Sequence, residues 1–305
     1  MVEPFHIPVM VSEVLDFLKV LEGSIYIDCT LGGGGHTRAI LEKGGRVIGI
    51  DRDDGAVEYA EDKLIAYRDR FEAHVTTFSN IIEVSGIYAG EIDGVVMDLG
   101  VSSRMIDDPS RGFSYNKNGP LLMNMGCSDV NAFEIINTKS KKELSRIFKE
   151  YGEERHARKI ADSIVNFRSS HPIKTTKELA DIVEKSVGGK MPQKSKARIF
   201  QALRIYVNDE INELRRGLDG ALKVMKTGGR LCVIAYHSLE DRIVKEFMKA
   251  QADPCICPPD MPICRCGRSP TMKIITRRAV RASEQEVISN IRSRSALLRV
   301  AEKIA

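Results

Sequence analysis

The stretch from Ser24 to Asp53, SIYIDCTLGGGGHTRAILEKGGRVIGIDRD, constrains the fold more than any other part of this chain. Two short β-rich apolar runs, Ile25-Tyr26-Ile27 and Val47-Ile48-Gly49-Ile50, flank a glycine cluster and an amphipathic segment. That order is the signature of a βαβ unit. Gly32 to Gly35 follow the first run and precede HTRAILEKGG, so a side-chain-free turn opens a helix. Such a turn lets a ligand approach the main chain closely, and N–H groups at the helix start favour electron-rich ligand atoms. Asp51 closes the second run. Parallel strands end on one edge, which puts its carboxylate within reach of the ribose hydroxyls of a nucleoside lying across the glycines.

A dinucleotide is the rival ligand. Thr37 stands where G-x-G-x-x-G/A has its last glycine, and there is no G-K-[ST]. The pattern favours a nucleoside without a pyrophosphate, such as S-adenosylmethionine, over a dinucleotide or a glycine turn with no ligand.

More strands follow the opening unit. AVEYAEDKLIAYRDRF reads as a helix and AHVTTF as a third strand, closed by Phe78, an aromatic that could pack on adenine or simply fill a core. IDGVVMDLGVSS supplies a fourth strand and delivers Asp98 at its carboxyl end, where open α/β sheets keep reactive groups. GRLCVIAY is a fifth strand, followed at once by HSLEDR, where five polar or charged residues in six are more than a turn needs, although His237 alone could be no more than a satisfied hydrogen-bonding residue. MKIIT and ALLRV read as final strands, joined by a helix around Glu284 to Arg292. Upstream of the sheet, SEVLDFLKVL reads as a helix with Ser12 as its N-cap.

From Arg104 to about Arg204 the strand pattern stops and turns give way to helices, including TTKELADIVEKSV with a Thr175-x-x-Glu178 capping box. The expected organisation is an α/β sheet domain in two parts, residues 1–103 and 205–305, with an all-helical insertion at 104–204.

Charge sharpens this division. Residues 1–103 carry 8 Lys/Arg against 18 Asp/Glu, residues 139–204 carry 17 against 8, and residues 271–305 carry 8 against 3. Basic middle and tail regions suit a polyanion, although solvated helix faces would give the same count. There is no apolar run of about eighteen residues and no basic-then-apolar leader, so a soluble, non-secreted chain without a membrane partner is expected. Seven cysteines then point to a reducing, cytoplasmic setting. Four of them, Cys255, Cys257, Cys264 and Cys266, form two C-x-C pairs around a Pro-rich turn, open to either a structural metal or a loop of thiols. No catalytic metal is expected, and a homodimer is left open.

With these pieces placed, the chain resembles the bacterial 16S ribosomal RNA cytosine N4-methyltransferase family over essentially its full length. The strings that carry the resemblance are HIPVM with SEVLDFL, IDCTLGGGGH, GIDRD, DGVVMDLGVSS, RGFSY with GPLLMNM, YGEERHARKIA, FQALRIYVN, GGRLCVIAYHSLEDRIVKEF and RSRSALLRVAE. The resemblance implies a class I methyltransferase (Rossmann-like) sheet with an inserted helical substrate domain. It implies S-adenosylmethionine as cofactor, with small-subunit rRNA or the small ribosomal subunit as partner and a cytidine N4 amine in the decoding region as acceptor. Carried over by motif, the cofactor contacts are Gly34, Gly35, His36, Asp51, Phe78 and Asp98. Asp98 and His237 are the candidates for the chemistry, Asp98 accepting a hydrogen bond from the amine and His237 orienting the base or taking up the released proton. A non-catalytic assembly factor, or a methyltransferase for another amine, is the alternative. The chain departs from the family's usual SSPQLDD, PLDMRM and HPATR at SSRMIDD, PLLMNM and KSKAR, which brings in Met105, Leu122, Asn124 and Lys194 to Arg198.

Overall fold

The computed structural model describes residues 8–126, 130–188, 192–258 and 265–305. The chain divides into two compact units, residues 1–100 with 213–305 and residues 101–212.

The first unit is a seven-stranded sheet. In chain order its strands are β1 (Ile25–Asp28), β2 (Arg46–Asp51), β3 (Phe71–Val75), β4 (Ile92–Asp98), β5 (Met225–Ala235), β6 (Met272–Ile274) and β7 (Leu297–Lys303). They lie side by side as β3-β2-β1-β4-β5-β7-β6. Pairings from β3 to β5 are parallel, while β7 runs antiparallel to both β5 and β6. This is the class I methyltransferase arrangement. The sheet is doubly covered, and its central strands accordingly read as continuous apolar runs: Val95, Val96, Met97, Leu231, Cys232, Val233 and Ile234 are fully buried.

Helices α1 (Val11–Leu18), α2 (Gly35–Glu42), α3 (Asp54–Lys63) and α4 (Ile81–Ser85) are interleaved with the first four strands. Val14 and Leu18 of α1, Ile40 and Leu41 of α2 and Tyr26 of β1 share one apolar cluster, so the helical spacing in SEVLDFL does bury a stripe. Ser12, however, is not the cap. α1 begins one residue before it, from Met10 in a left-handed conformation (φ 54°), whose own N–H donates to Glu286 Oε1 at 2.7 Å. The first turn is thus fixed by a residue far along the chain, which no local pattern announces.

In the second unit come α5 (Ser103–Asp107), α6 (Ala132–Thr138), α7 (Lys141–Glu150), α8 (Ala157–Arg168), α9 (Thr176–Val187) and α10 (Pro192–Val207); α11 (Glu210–Val224) leads back into β5. Leu144, Ile147, Phe148, Ile160, Ile164, Leu179, Val183, Ile199, Phe200 and Leu203 form its own core. The capping box on α9 is complete, the Thr175 hydroxyl accepting from Glu178 N–H and the Glu178 carboxylate from Thr175 N–H. The boundaries of this unit fall at 100/101 and 212/213, not at 103/104 and 204/205. The C-terminal difference has a packing cause: Val207 of α10 belongs to the helical core, and the Asn208 side chain ties the end of α10 to the loop before α6. Asn208 Oδ1 accepts from Met125 N–H at 2.9 Å, and its Nδ2 donates to Met123 O at 2.7 Å. FQALRIYVN and GPLLMNM are therefore two halves of one structural clasp.

α12 (Ser238–Ala252) follows β5, and α13 (Glu284–Ser289) lies between β6 and β7. Among the described residues, no helix is long and apolar enough to cross a membrane.

Candidate active site

The candidate site is the carboxyl edge of the sheet, where four strand ends each deliver a polar group. β1 ends at Asp28, β2 at Asp51 and β4 at Asp98; β5 ends at Ala235, immediately before Tyr236 and His237.

The turn after β1 is shaped by Asp51. Its Oδ2 accepts from Gly32 N–H at 2.8 Å and its Oδ1 from Asp53 N–H at 3.0 Å. Burial pushes the Asp51 carboxyl up to about 6, against those two donors, which pull it down. A carboxylate this poorly solvated gains from further donors, and each of its oxygens has lone-pair capacity for them.

The glycines serve the turn in a way the sequence did not reveal. Gly34 is left-handed (φ 74°) and caps α2, and a Cβ on it would lie 3.1 Å from Leu64 Cδ1. A Cβ on Gly35 would lie 2.6 Å from two ring carbons of Pro8. The side-chain-free faces of both are thus filled by the protein itself. The Gly32 and Gly34 amides are also engaged inside the turn, with Asp51 and Leu31 O. At Gly34 and Gly35 the absent side chains permit close packing of the turn against Leu64 and Pro8.

His36, in the first turn of α2, faces Asp98. Its Nε2 lies 3.6 Å from Asp98 Oδ2, too far for a hydrogen bond but close enough for strong attraction. Both ring nitrogens are buried with no hydrogen-bond partner. Burial disfavours the imidazolium, but Asp98, Asp28 and Glu286 together outweigh it and hold the His36 pKa above the ordinary value. Asp28 is buried and its carboxyl is pushed up by desolvation, while it accepts from Thr37 Oγ1 at 2.8 Å.

Asp98 has a second neighbour that the sequence reading passed over. The Tyr236 hydroxyl donates to Asp98 Oδ1 at 2.7 Å. Burial first, and then the Asp98 charge, push the phenol far above its usual range, so it stays protonated as a donor. The Asp98 main-chain N–H donates to Thr30 Oγ1 at 2.7 Å, which fixes the strand end. The signal for Tyr236 was its place as the first residue past β5, beside a β4 carboxylate in parallel register: Asp98 pairs with Ile234.

His237 itself serves α12. As N-cap, its Nδ1 accepts from Glu240 N–H at 3.3 Å, and its Nε2 lies 3.1 Å from Glu240 Oε1. Glu240 Oε2 accepts from Tyr236 N–H, and Asp241 holds Arg299 of β7 through two hydrogen bonds of 2.6 and 2.9 Å. Much of the polar content of HSLEDR thus anchors α12 to the strand ends.

Phe78 is not the last residue of β3, which stops at Val75; it opens a short 3-10 turn at Phe78–Asn80. Its ring lies against α11, where a Cβ on Gly217 would be 2.5 Å from Phe78 Cδ2.

The geometry has a counterpart in sequence comparison. The description MraW methylase family matches residues 3–304. This chain belongs to the MraW methylase family. Among similar members of known name, each called "Ribosomal RNA small subunit methyltransferase H", the protein of Carboxydothermus hydrogenoformans is 45% identical over 307 residues, covering 98% of both chains. That of Halothermothrix orenii is 46% identical over 308 residues, again with 98% of each chain covered, and that of Clostridium botulinum strain Loch Maree is 44% identical over 306 residues, covering 98% of this chain and 99% of its own.

As an MraW methylase, the chain needs a site for a methyl donor, and the residues fit S-adenosylmethionine. An under-solvated carboxylate at the end of β2 suits ribose hydroxyls, and the orphaned nitrogens of buried His36 suit a polar partner beside Asp98. Of the departures from the usual family strings, Met105 is buried and Lys196 of KSKAR is buried against Glu184 as an ion pair, while Lys194 is exposed and Leu122 and Asn124 are half-buried.

Proposed function

We propose that this protein transfers a methyl group from S-adenosylmethionine to the exocyclic N4 amine of a cytidine in small-subunit rRNA, and that it works in the cytoplasm on ribosomal subunits or their RNA. The observation that carries the reading is the Asp98 carboxylate, held between Tyr236 and His36 at the end of a central parallel strand.

Asp51 would hold the ribose of the donor, with the Gly34–Gly35 turn as floor and His36 beside it. When bound, S-adenosylmethionine supplies an electrophilic methyl sulfonium. A cytosine amine is a poor nucleophile because its lone pair is delocalised into the ring, so alignment and exclusion of water matter most. Asp98 contributes by accepting a hydrogen bond from the amine, which draws electron density onto the nitrogen. Tyr236 and His36 fix the carboxylate's orientation for this. The nitrogen must release a proton, and Asp98 is placed to receive it first, with His36 as the adjacent base. His237 caps α12 next to Tyr236 in sequence, and orienting the base is the role proposed for its ring.

To react, the cytidine must leave its stack, at a cost of a few kcal/mol. Phosphate contacts to exposed cations of the helical unit, Arg155, Arg158 and Lys159 among them, offset that cost.

The test is transfer from labelled S-adenosylmethionine to small subunits, naked rRNA, DNA and protein, followed by nucleoside mass spectrometry. N4-methylcytidine confined to the rRNA supports the reading. Label in DNA or protein at comparable rates, or none anywhere despite cofactor binding, contradicts it.

A further inference from the structure

The nineteen residues from 253 to 271, between α12 and β6, form a segment that the methyl-transfer chemistry does not use. Its base is clasped: Thr271 N–H donates to Gln251 O at 2.9 Å and Thr271 Oγ1 to Gln251 Oε1 at 2.7 Å. Above that clasp it contains no helix or strand among the described residues, and none of residues 253–258 and 265–270 is buried. Ile256 is 65% exposed. Described residues that bury no side chain over such a length need another source of order.

The loop does have one dense feature. The Sγ atoms of Cys255, Cys257 and Cys266 all lie within 4.8 Å of one another, and those of Cys255 and Cys266 are 4.0 Å apart. That separation is about twice the ~2.05 Å of a disulfide bond. It is close to the ~3.8 Å edge of a tetrahedron built on Zn–S bonds of about 2.3 Å. Arg265 N–H donates to Cys257 Sγ at 3.4 Å, the kind of main-chain donor that stabilises a thiolate ligand. The second C-x-C pair contains a further thiol, Cys264, which lies outside the described residues.

We propose that Cys255, Cys257 and Cys266 bind a soft divalent cation, Zn²⁺ by ligand chemistry, as a structural site that pins the loop between α12 and β6. All-thiolate ligation selects zinc over hard cations such as magnesium or calcium. Binding takes up one cation and releases the thiol protons to solvent, with no oxidation of sulfur. The cation ties the two arms of the loop together above the Gln251–Thr271 clasp.

The experiment uses the full chain, purified under reducing conditions with zinc supplied and then dialysed. Expected are one equivalent of zinc per chain by elemental analysis, release in step with thiol titration by a mercurial, and loss in Cys255→Ser/Cys266→Ser. Replacement by Co²⁺ should give thiolate-to-cobalt charge transfer and intense tetrahedral ligand-field bands. A second readout needs no variant: a chelator should speed tryptic cleavage after Arg265 and Arg268 several-fold. Wild type that holds neither metal, the double variant that keeps it, or thiols that react with alkylating agents only after added reductant would each overturn the proposal. So would cleavage rates indifferent to chelator.

Discussion

At the residue scale two carboxylates, Asp51 and Asp98, divide the proposed work of binding and chemistry. Asp51 meets two main-chain donors, and burial pushes its folded pKa up to about 6 from the ordinary 3.8. A raised carboxylate contributes stability that is fully present below the ordinary value and is lost as pH rises through about 6. Wild type should therefore show an excess loss of stability across that window, compared with Asp51→Asn, in thermal melts of ligand-free protein. Cofactor affinity should move the other way. Ribose hydroxyls donate to the ionised form, so affinity by calorimetry should rise up to about tenfold per pH unit below about 6 and level off above it. Asp98, by contrast, faces Tyr236 and His36. Tyr236→Phe removes one oriented donor, and methyl transfer should slow by about tenfold with cofactor affinity nearly unchanged. A matching fall in affinity would assign the tyrosine to binding instead.

Elements show how far local pattern carries. The strands β1, β2, β4 and β5 and the capping box on α9 were legible because each depends on residues adjacent in sequence: apolar runs in the first case, Thr175 and Glu178 in the second. Thr175→Ala should lower stability by about 1 kcal/mol in denaturant titration. What was not legible depends on distant partners. Ser12 lost the cap because Glu286 fixes Met10. Phe78 was displaced from β3 because the strand ends at Val75, and its ring then fits the groove that Gly217 leaves in α11. α3 stops at Lys63, where the pattern ran on to Phe71, since Leu64 is drawn under Gly34 and a 3-10 turn over Ile65–Tyr67 follows. Gly217→Ala should cost about 1–3 kcal/mol through overpacking against Phe78, read as a lower melting temperature. Asp51 and Asp98 were recognisable as residues at strand ends, whereas Tyr236 and Glu286 reach the site only through the sheet register and the return of α13.

For the whole molecule, the sequence division into an acidic sheet and a basic helical insertion has a physical reading in RNA binding. If exposed cations such as Arg155, Arg158 and Lys159 meet phosphates, replacing all three by Ala should weaken rRNA binding across sequences. The slope of log affinity against log salt should fall by about two to three units. An unchanged slope would move the phosphate contacts elsewhere, with Arg277, Arg278 and Arg281 of the exposed C-terminal segment next in order. The sheet brings the strand ends together on one edge, so the residues proposed for cofactor and chemistry, Asp51, Asp98, Tyr236 and His36, all lie in the first unit.

On the proposed reading Asp98 acts on the reacting amine and is not required for the fold or for cofactor affinity. The most direct measurement is single-turnover methyl transfer to cytidine N4 in small-subunit rRNA by wild type and Asp98→Asn, with cofactor affinity measured on the same preparations. Expected is a loss of at least about a hundredfold in rate with affinity changed no more than a few-fold. Transfer by Asp98→Asn at the wild-type rate would contradict it.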